Sequence, residues 1–142
     1  MIKIVTGKIG SGKTSFLKNI KQGFDGVLTE CEDRKKKLYK FNLIKANKKL
    51  LCCRYENGMM FNQENFDKVN AYLLESIKKN KKIIIDELGW LELENEGLYN
   101  SVKHIVEERN FELLYLSMRY DIYLKLIEKF EIKEFTLIDL TK

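Results

Sequence analysis

The run Gly7-Lys8-Ile9-Gly10-Ser11-Gly12-Lys13-Thr14 meets the phosphate-binding loop pattern G-x-x-x-x-G-K-[ST] at each constrained position. Glycines let backbone N–H groups converge on one anion, which a polyphosphate requires. Lys13 is placed to bridge β- and γ-phosphate oxygens, and the Thr14 hydroxyl to ligate Mg²⁺. The candidate nucleotide contacts therefore extend from Gly7 through Ser15. A second chemical feature lies downstream, where Ile83-Ile84-Ile85 runs into Asp86-Glu87. An apolar strand ending on two acids can present Asp86 to a metal, through a water, and Glu87 as a general base for an attacking water.

These side chains need elements to carry them. Periodicity predicts a strand at Ile2–Thr6, the glycine loop, then a helix from about Gly12 to Lys21. Short β-type pieces follow at Val27–Glu30, Tyr39–Ile44 and Leu50–Arg54, expected as antiparallel strands packed beside the main sheet. Asn62 is an expected N-cap for a helix reaching Lys79, with Phe66, Val69, Leu73 and Ile77 on one face. Lys82–Asp86 carries three consecutive β-branched residues, as a strand buried on both faces does. A helix ending near Arg109, a strand at Glu112–Ser117, a helix with Ile122, Leu126 and Phe130, and a strand at Phe135–Ile138 complete the pattern. Strands alternating with amphipathic helices predict an α/β fold, a mostly parallel sheet with helices on both faces and a short antiparallel insertion at about 26–55.

Composition bounds the remaining readings. The 142 residues suit one domain over the whole chain, and 44% hydrophobic content supplies a core. No apolar run approaches the ~20 residues that span a bilayer, and no signal-peptide core precedes the first glycine loop, so a cytoplasmic, monomeric protein is expected. The net charge of +5 comes mostly from scattered lysines, with only Arg34, Arg54, Arg109 and Arg119 able to make planar bidentate contacts. Nucleic acid is thus a possible partner without a specific signal. Arg34-Lys35-Lys36-Lys37 is expected as a solvated hairpin turn. Cys31, Cys52 and Cys53 fit neither a disulfide framework nor paired metal ligands, and are expected to be reduced and mostly buried.

With these motifs in place, the chain resembles the small nucleoside-triphosphatase family known from hyperthermophiles and, in vertebrates, as cancer-related nucleoside-triphosphatase. The loop at Thr6–Ser15 corresponds to the family's opening segment, with its usual prolines replaced by Lys8 and Ile9. Gly26-Val27-Leu28-Thr29-Glu30-Cys31 is similar to its Gly-aromatic-x-Thr-x-Glu segment. A family arginine that usually follows aligns with Asp33, Arg34 standing one residue later. Arg54-Tyr55 matches a turn. Asp86-Glu87-Leu88-Gly89-Trp90-Leu91-Glu92 resembles the family's Asp-Glu-Ile-Gly-x-Met-Glu signature. The resemblance implies a P-loop NTPase fold with an additional strand between the loop strand and the Asp86 strand. It also implies Mg²⁺-dependent hydrolysis of nucleoside triphosphates with broad base selectivity.

Within that resemblance, Glu92 helps order the water or metal shell, or else forms a surface salt bridge. Arg119 approaches the γ-phosphate as a stabiliser of developing charge, or else starts a helix at the surface. Without an assured arginine finger a slow basal rate is expected, raised in that case by a protein activator. Two other readings compete. A nucleotide or nucleoside kinase needs an acceptor and a shield against water, and few arginines and no lid-like insertion weigh against it. A non-catalytic nucleotide-dependent binding module would signal through the Arg34–Lys37 turn and Trp90, although Trp90 is expected as a partly buried packing residue.

Overall fold

Ile83, Ile84 and Ile85 are fully buried in the computed structural model, which describes residues 1–141. Ile83 and Ile85 pack into one apolar cluster and Ile84 into another across the sheet, the signature of a strand covered on both faces. This strand, β6 (Lys82–Leu88), lies inside an eight-stranded sheet. Its companions are β1 (Ile2–Thr6), β2 (Asp25–Asp33), β3 (Leu38–Leu43), β4 (Lys48–Tyr55), β5 (Met59–Phe61), β7 (Leu113–Met118) and β8 (Thr136–Asp139). The order across the sheet is β5-β4-β3-β2-β6-β7-β1-β8. Strand β7 separates β1 from β6 and pairs parallel with both, which is the additional-strand arrangement.

Helix α1 (Lys13–Ile20) covers one face through Leu17, with Phe16 and Ile20 beside it. The opposite face is covered by α2 (Gln63–Lys79), α4 (Tyr99–Glu108) and α5 (Tyr123–Lys129). A short helix, α3 (Trp90–Leu93), follows β6. Asn62 caps α2 as expected, its side chain accepting from the Asn65 amide at 3.0 Å.

Strands β2 to β4 are the short antiparallel piece expected beside the main sheet, and with β5 they continue that sheet in one hydrogen-bonded ladder. Asp25–Val27 pairs parallel with Ile83–Ile85, while the same strand runs antiparallel to β3 further along. Close approach makes this possible: a Cβ on Gly26, at φ +128°, would lie 1.9 Å from the Ile84 carbonyl oxygen. Asp25 locks the start of β2 to α2, accepting from the Tyr72 hydroxyl at 2.6 Å and the Ser76 hydroxyl at 2.5 Å. The basic run from Arg34 to Lys37 is the β2–β3 turn, as expected. Cys52 and Cys53 are buried, but Cys31 is exposed, since it lies where β2 leaves the helix-covered sheet. No helix among the described residues is long and apolar enough to cross a membrane.

Candidate active site

The carboxyl ends of β1 and β6 open into one crevice, the place where open α/β sheets bind ligands. Gly12 caps α1 at φ +90°, a left-handed conformation that lets the chain turn directly from loop to helix. The following backbone N–H groups and the positive helix end face the crevice. A cavity of about 740 Å³ is lined by Gly7, Lys8, Ile9, Gly10, Gly12, Lys13, Thr14 and Ser15, and beyond them by Glu87 and Arg119. Ser11 differs from its neighbours: its hydroxyl is buried beside Gly7 and has no hydrogen-bond partner. Lys13 extends its ammonium along the loop and donates to the Gly7 carbonyl at 2.9 Å.

Asp86 is fully buried at the floor of the crevice. Its Oδ2 accepts from the Thr14 hydroxyl at 2.8 Å and the Thr29 amide at 3.0 Å, and its Oδ1 accepts from the Ser117 hydroxyl. Burial raises the Asp86 pKa, against those three donors and the charge of Lys13. Thr14 and Asp86, predicted from segments 72 positions apart, are therefore in direct contact. Their hydroxyl and carboxylate oxygens are hard donors of the type Mg²⁺ takes, and one or two protein ligands suffice where phosphates and waters complete the shell. The donor set fits Mg²⁺, and no cage of three or more His, Cys, Asp or Glu side chains occurs among the described residues.

Glu87 breaks the strand geometry. It has φ +67°, and the β6–β7 register shifts between Ile85 and Leu88. This bulge turns Glu87 out of the alternation and into the cavity, a recurrent use of irregularity beside active sites. The Glu87 amide donates to the Ser117 hydroxyl at 2.7 Å, so Ser117 joins the two acids. The Glu87 carboxylate has no hydrogen-bond or ion-pair partner among the described residues. Glu87 is exposed to the cavity; neighbouring protein thins its hydration and Asp86 repels its charge, so its pKa lies above the ordinary range, with Lys13 and Arg119 opposing.

Arg119 sits just past β7, its amide bonded to the Leu88 carbonyl at 3.0 Å. Its guanidinium pairs with Asp121 at 3.3 Å on the rim and lines the cavity. Arg119 thus stands at once at the surface and on the cavity lining. Glu92 is not a surface salt-bridge residue. It is 3% exposed, and its two oxygens accept from the Gly89 amide at 2.6 Å and the Leu98 amide at 2.8 Å. It buttresses the α3 loop, and burial pushes its pKa up to about 7. Trp90, expected as partly buried packing, is 50% exposed because α3 is only one turn long and turns it outward. Ser117 and Thr29 carry no sequence pattern of their own; only the strand alignment brings them to Asp86.

No curated protein sequence matches the chain. The crystal structure of THEP1 from the hyperthermophile Aquifex aeolicus is similar, with 24% identity and a TM-score of 0.78 over 99% of this chain and 90% of that chain. That likeness carries the fold. A family model described as NTPase matches residues 3–142, nearly the full length, and the chain belongs to this NTPase family.

Proposed function

We propose that this chain, acting as a single-domain monomer, hydrolyses nucleoside triphosphates to the diphosphate and phosphate with Mg²⁺. The observation that carries the reading is the convergence of three groups on one cavity: Lys13 from the glycine loop, the Thr14–Asp86 contact at 2.8 Å, and the unpaired Glu87 carboxylate beside them. Loop amides from Gly10 to Thr14 bind the β-phosphate at the helix end. Lys13 exchanges the Gly7 carbonyl for β- and γ-phosphate oxygens as the substrate seats. Thr14 and Asp86 would hold Mg²⁺, which would supply positive charge against the phosphate oxygens.

Glu87 orients the attacking water and takes its proton. The left-handed bend at residue 87 is costly for a glutamate, and it frees the carboxylate from sheet alternation to face the cavity. Arg119, on the same wall as Glu87, offsets charge developing on the γ-phosphoryl group. Its pairing with Asp121 leaves it free to exchange partners, since exposed ion pairs are worth only ~0–1 kcal/mol. Arg34, the other arginine on the cavity lining, sits in the exposed β2–β3 turn, so basal turnover is slow and open to a protein activator.

Lys13→Ala tests the binding half of this reading. Equilibrium titration of ATP and GTP with Mg²⁺ should show affinity reduced at least about tenfold, as loss of a charge-assisted contact of ~1.5–3 kcal/mol requires. Unchanged affinity would place the phosphates elsewhere.

A further inference from the structure

A second cavity of about 560 Å³ abuts the first, and Thr29, Tyr39, Glu87 and Arg119 form a wall common to both. Its character is different. Phe41 and Phe66 meet edge to face at 4.9 Å at its base, Phe61 stands 6.1 Å from Phe66, and Met59 and Trp90 complete the rim. Met59, Phe61 and Trp90 are 41%, 46% and 50% exposed, so three large apolar side chains border one opening. The opening lies between the β4–β5 edge of the sheet and α3, on the side of Glu87 away from the glycine loop. Hydrolysis requires none of the apolar rim formed by Met59, Phe61 and Trp90.

We infer that this cavity is an acceptor site for a small, uncharged aromatic alcohol, whose hydroxyl takes the place of the attacking water at Glu87. The inference rests on Glu87 facing a bound γ-phosphate, as proposed above. The volume falls within the ~300–1,000 Å³ of small-molecule sites, and apolar walls with a few polar groups at one end are the usual form of such sites. Aromatic rings and a methionine favour a ring-bearing occupant through edge-to-face and sulfur–aromatic contacts. The lining also carries Lys37, Glu94 and Arg119, while the rings of Phe41, Phe61 and Phe66 offer no partner to a charge, so the part of the ligand seated against them is neutral. The polar end of the cavity holds Asp86, Glu87 and Arg119, and of these the Glu87 carboxylate has no hydrogen-bond or ion-pair partner among the described residues and accepts a hydroxyl proton. The step balances: the alcohol oxygen bonds to the γ-phosphorus as the bond to the bridging β,γ-oxygen breaks. The diphosphate leaves and the hydroxyl proton passes to Glu87. Occupation of the cavity also excludes water from the position it would otherwise attack from.

The test uses 2-phenylethanol with the full chain, ATP and Mg²⁺, following ADP, inorganic phosphate, 2-phenylethyl phosphate and Trp90 emission. Trp90 is the only tryptophan in the chain, so its emission reports this rim directly. The expected result is that ADP exceeds released phosphate, the difference appears as 2-phenylethyl phosphate, and ethanol at equal concentration produces neither change. Phe61→Ser should keep phosphate release without alcohol and form about tenfold less ester, as the loss of buried ring contact predicts. ADP and phosphate remaining equal at saturating 2-phenylethanol overturns the inference, whether or not Trp90 emission shifts. Ester without phosphate release in alcohol-free buffer would refute hydrolysis while leaving the acceptor site standing. Phosphate release that 2-phenylethanol leaves unaltered would do the reverse.

Discussion

Ser117→Ala removes one oxygen that serves both acids of the site. The Ser117 hydroxyl donates to Asp86 Oδ1 and accepts from the Glu87 amide at 2.7 Å. Without it, a fully buried carboxylate oxygen loses its only side-chain donor and the Glu87 N–H loses its acceptor. A hydrogen bond to a charged group is worth ~1.5–3 kcal/mol, and an unpaired amide costs ~1–3 kcal/mol. The amide lies near the cavity, where water relieves part of the second cost, so the total should be about 3 kcal/mol. Urea denaturation at neutral pH measures this. Ser76→Ala is the matched comparison, since Ser76 also donates to a buried aspartate, Asp25, whose Oδ2 keeps the Asn80 side-chain amide at 3.4 Å while its Oδ1 keeps Tyr72 and the Lys45 amide. Ser76→Ala should cost ~1–2 kcal/mol and leave phosphate release unaltered, whereas Ser117→Ala should lower it as Glu87 loses its anchor. A Ser117→Ala cost under ~1 kcal/mol would refute the idea that this hydroxyl holds the two acids in place.

Three further outcomes follow from particular contacts. Gly26→Ala forces a Cβ to within 1.9 Å of the Ile84 carbonyl oxygen, so β2 must part from β6, and chemical denaturation should show a loss of at least about 3 kcal/mol. Gly12→Ala meets no neighbour within 4 Å, so its cost is the left-handed backbone alone, ~1–2 kcal/mol in thermal melts, accompanied by weaker nucleotide binding. Glu92 has a folded pKa of about 7 against an ordinary 4.5, so the folded chain holds a proton that the unfolded chain releases. Its contribution is therefore fully present below pH about 4.5 and is lost as pH rises through about 7, on the order of 3 kcal/mol. Denaturation from pH 5 to 8 should show this slope, and Glu92→Gln, neutral throughout, should flatten it.

The phosphate loop was legible because glycine spacing, lysine and threonine each answer to one local need, and Gly12, Lys13 and Thr14 stand where that need places them. The acidic strand was legible for a related reason: Ile83-Ile84-Ile85 can sit only in a doubly covered strand, which puts Asp86 at its carboxyl end. What stayed hidden depends on partners distant in sequence. Nothing in a lone serine marks Ser117 as the link between Asp86 and Glu87, since β6–β7 alignment creates that contact. The bulge that turns Glu87 leaves no glycine or proline signal, because the glutamate itself takes φ +67°. Strand β5 was too short at Met59–Phe61 to show a period, so the edge that completes the sheet went unread. Glu92 resembled a surface acid by composition, and only its burial beneath Gly89 and Leu98 reveals a loop support.

The central claim is that Glu87 activates water at a nucleotide held by the glycine loop, and phosphate release by Glu87→Gln tests it most directly. With ATP and Mg²⁺ the variant should bind nucleotide as the native chain does, while its turnover falls ~10²–10⁴-fold, the usual contribution of a general base. Binding preserved with turnover unchanged would contradict the account, and would move the water-activating role to another group in the cavity.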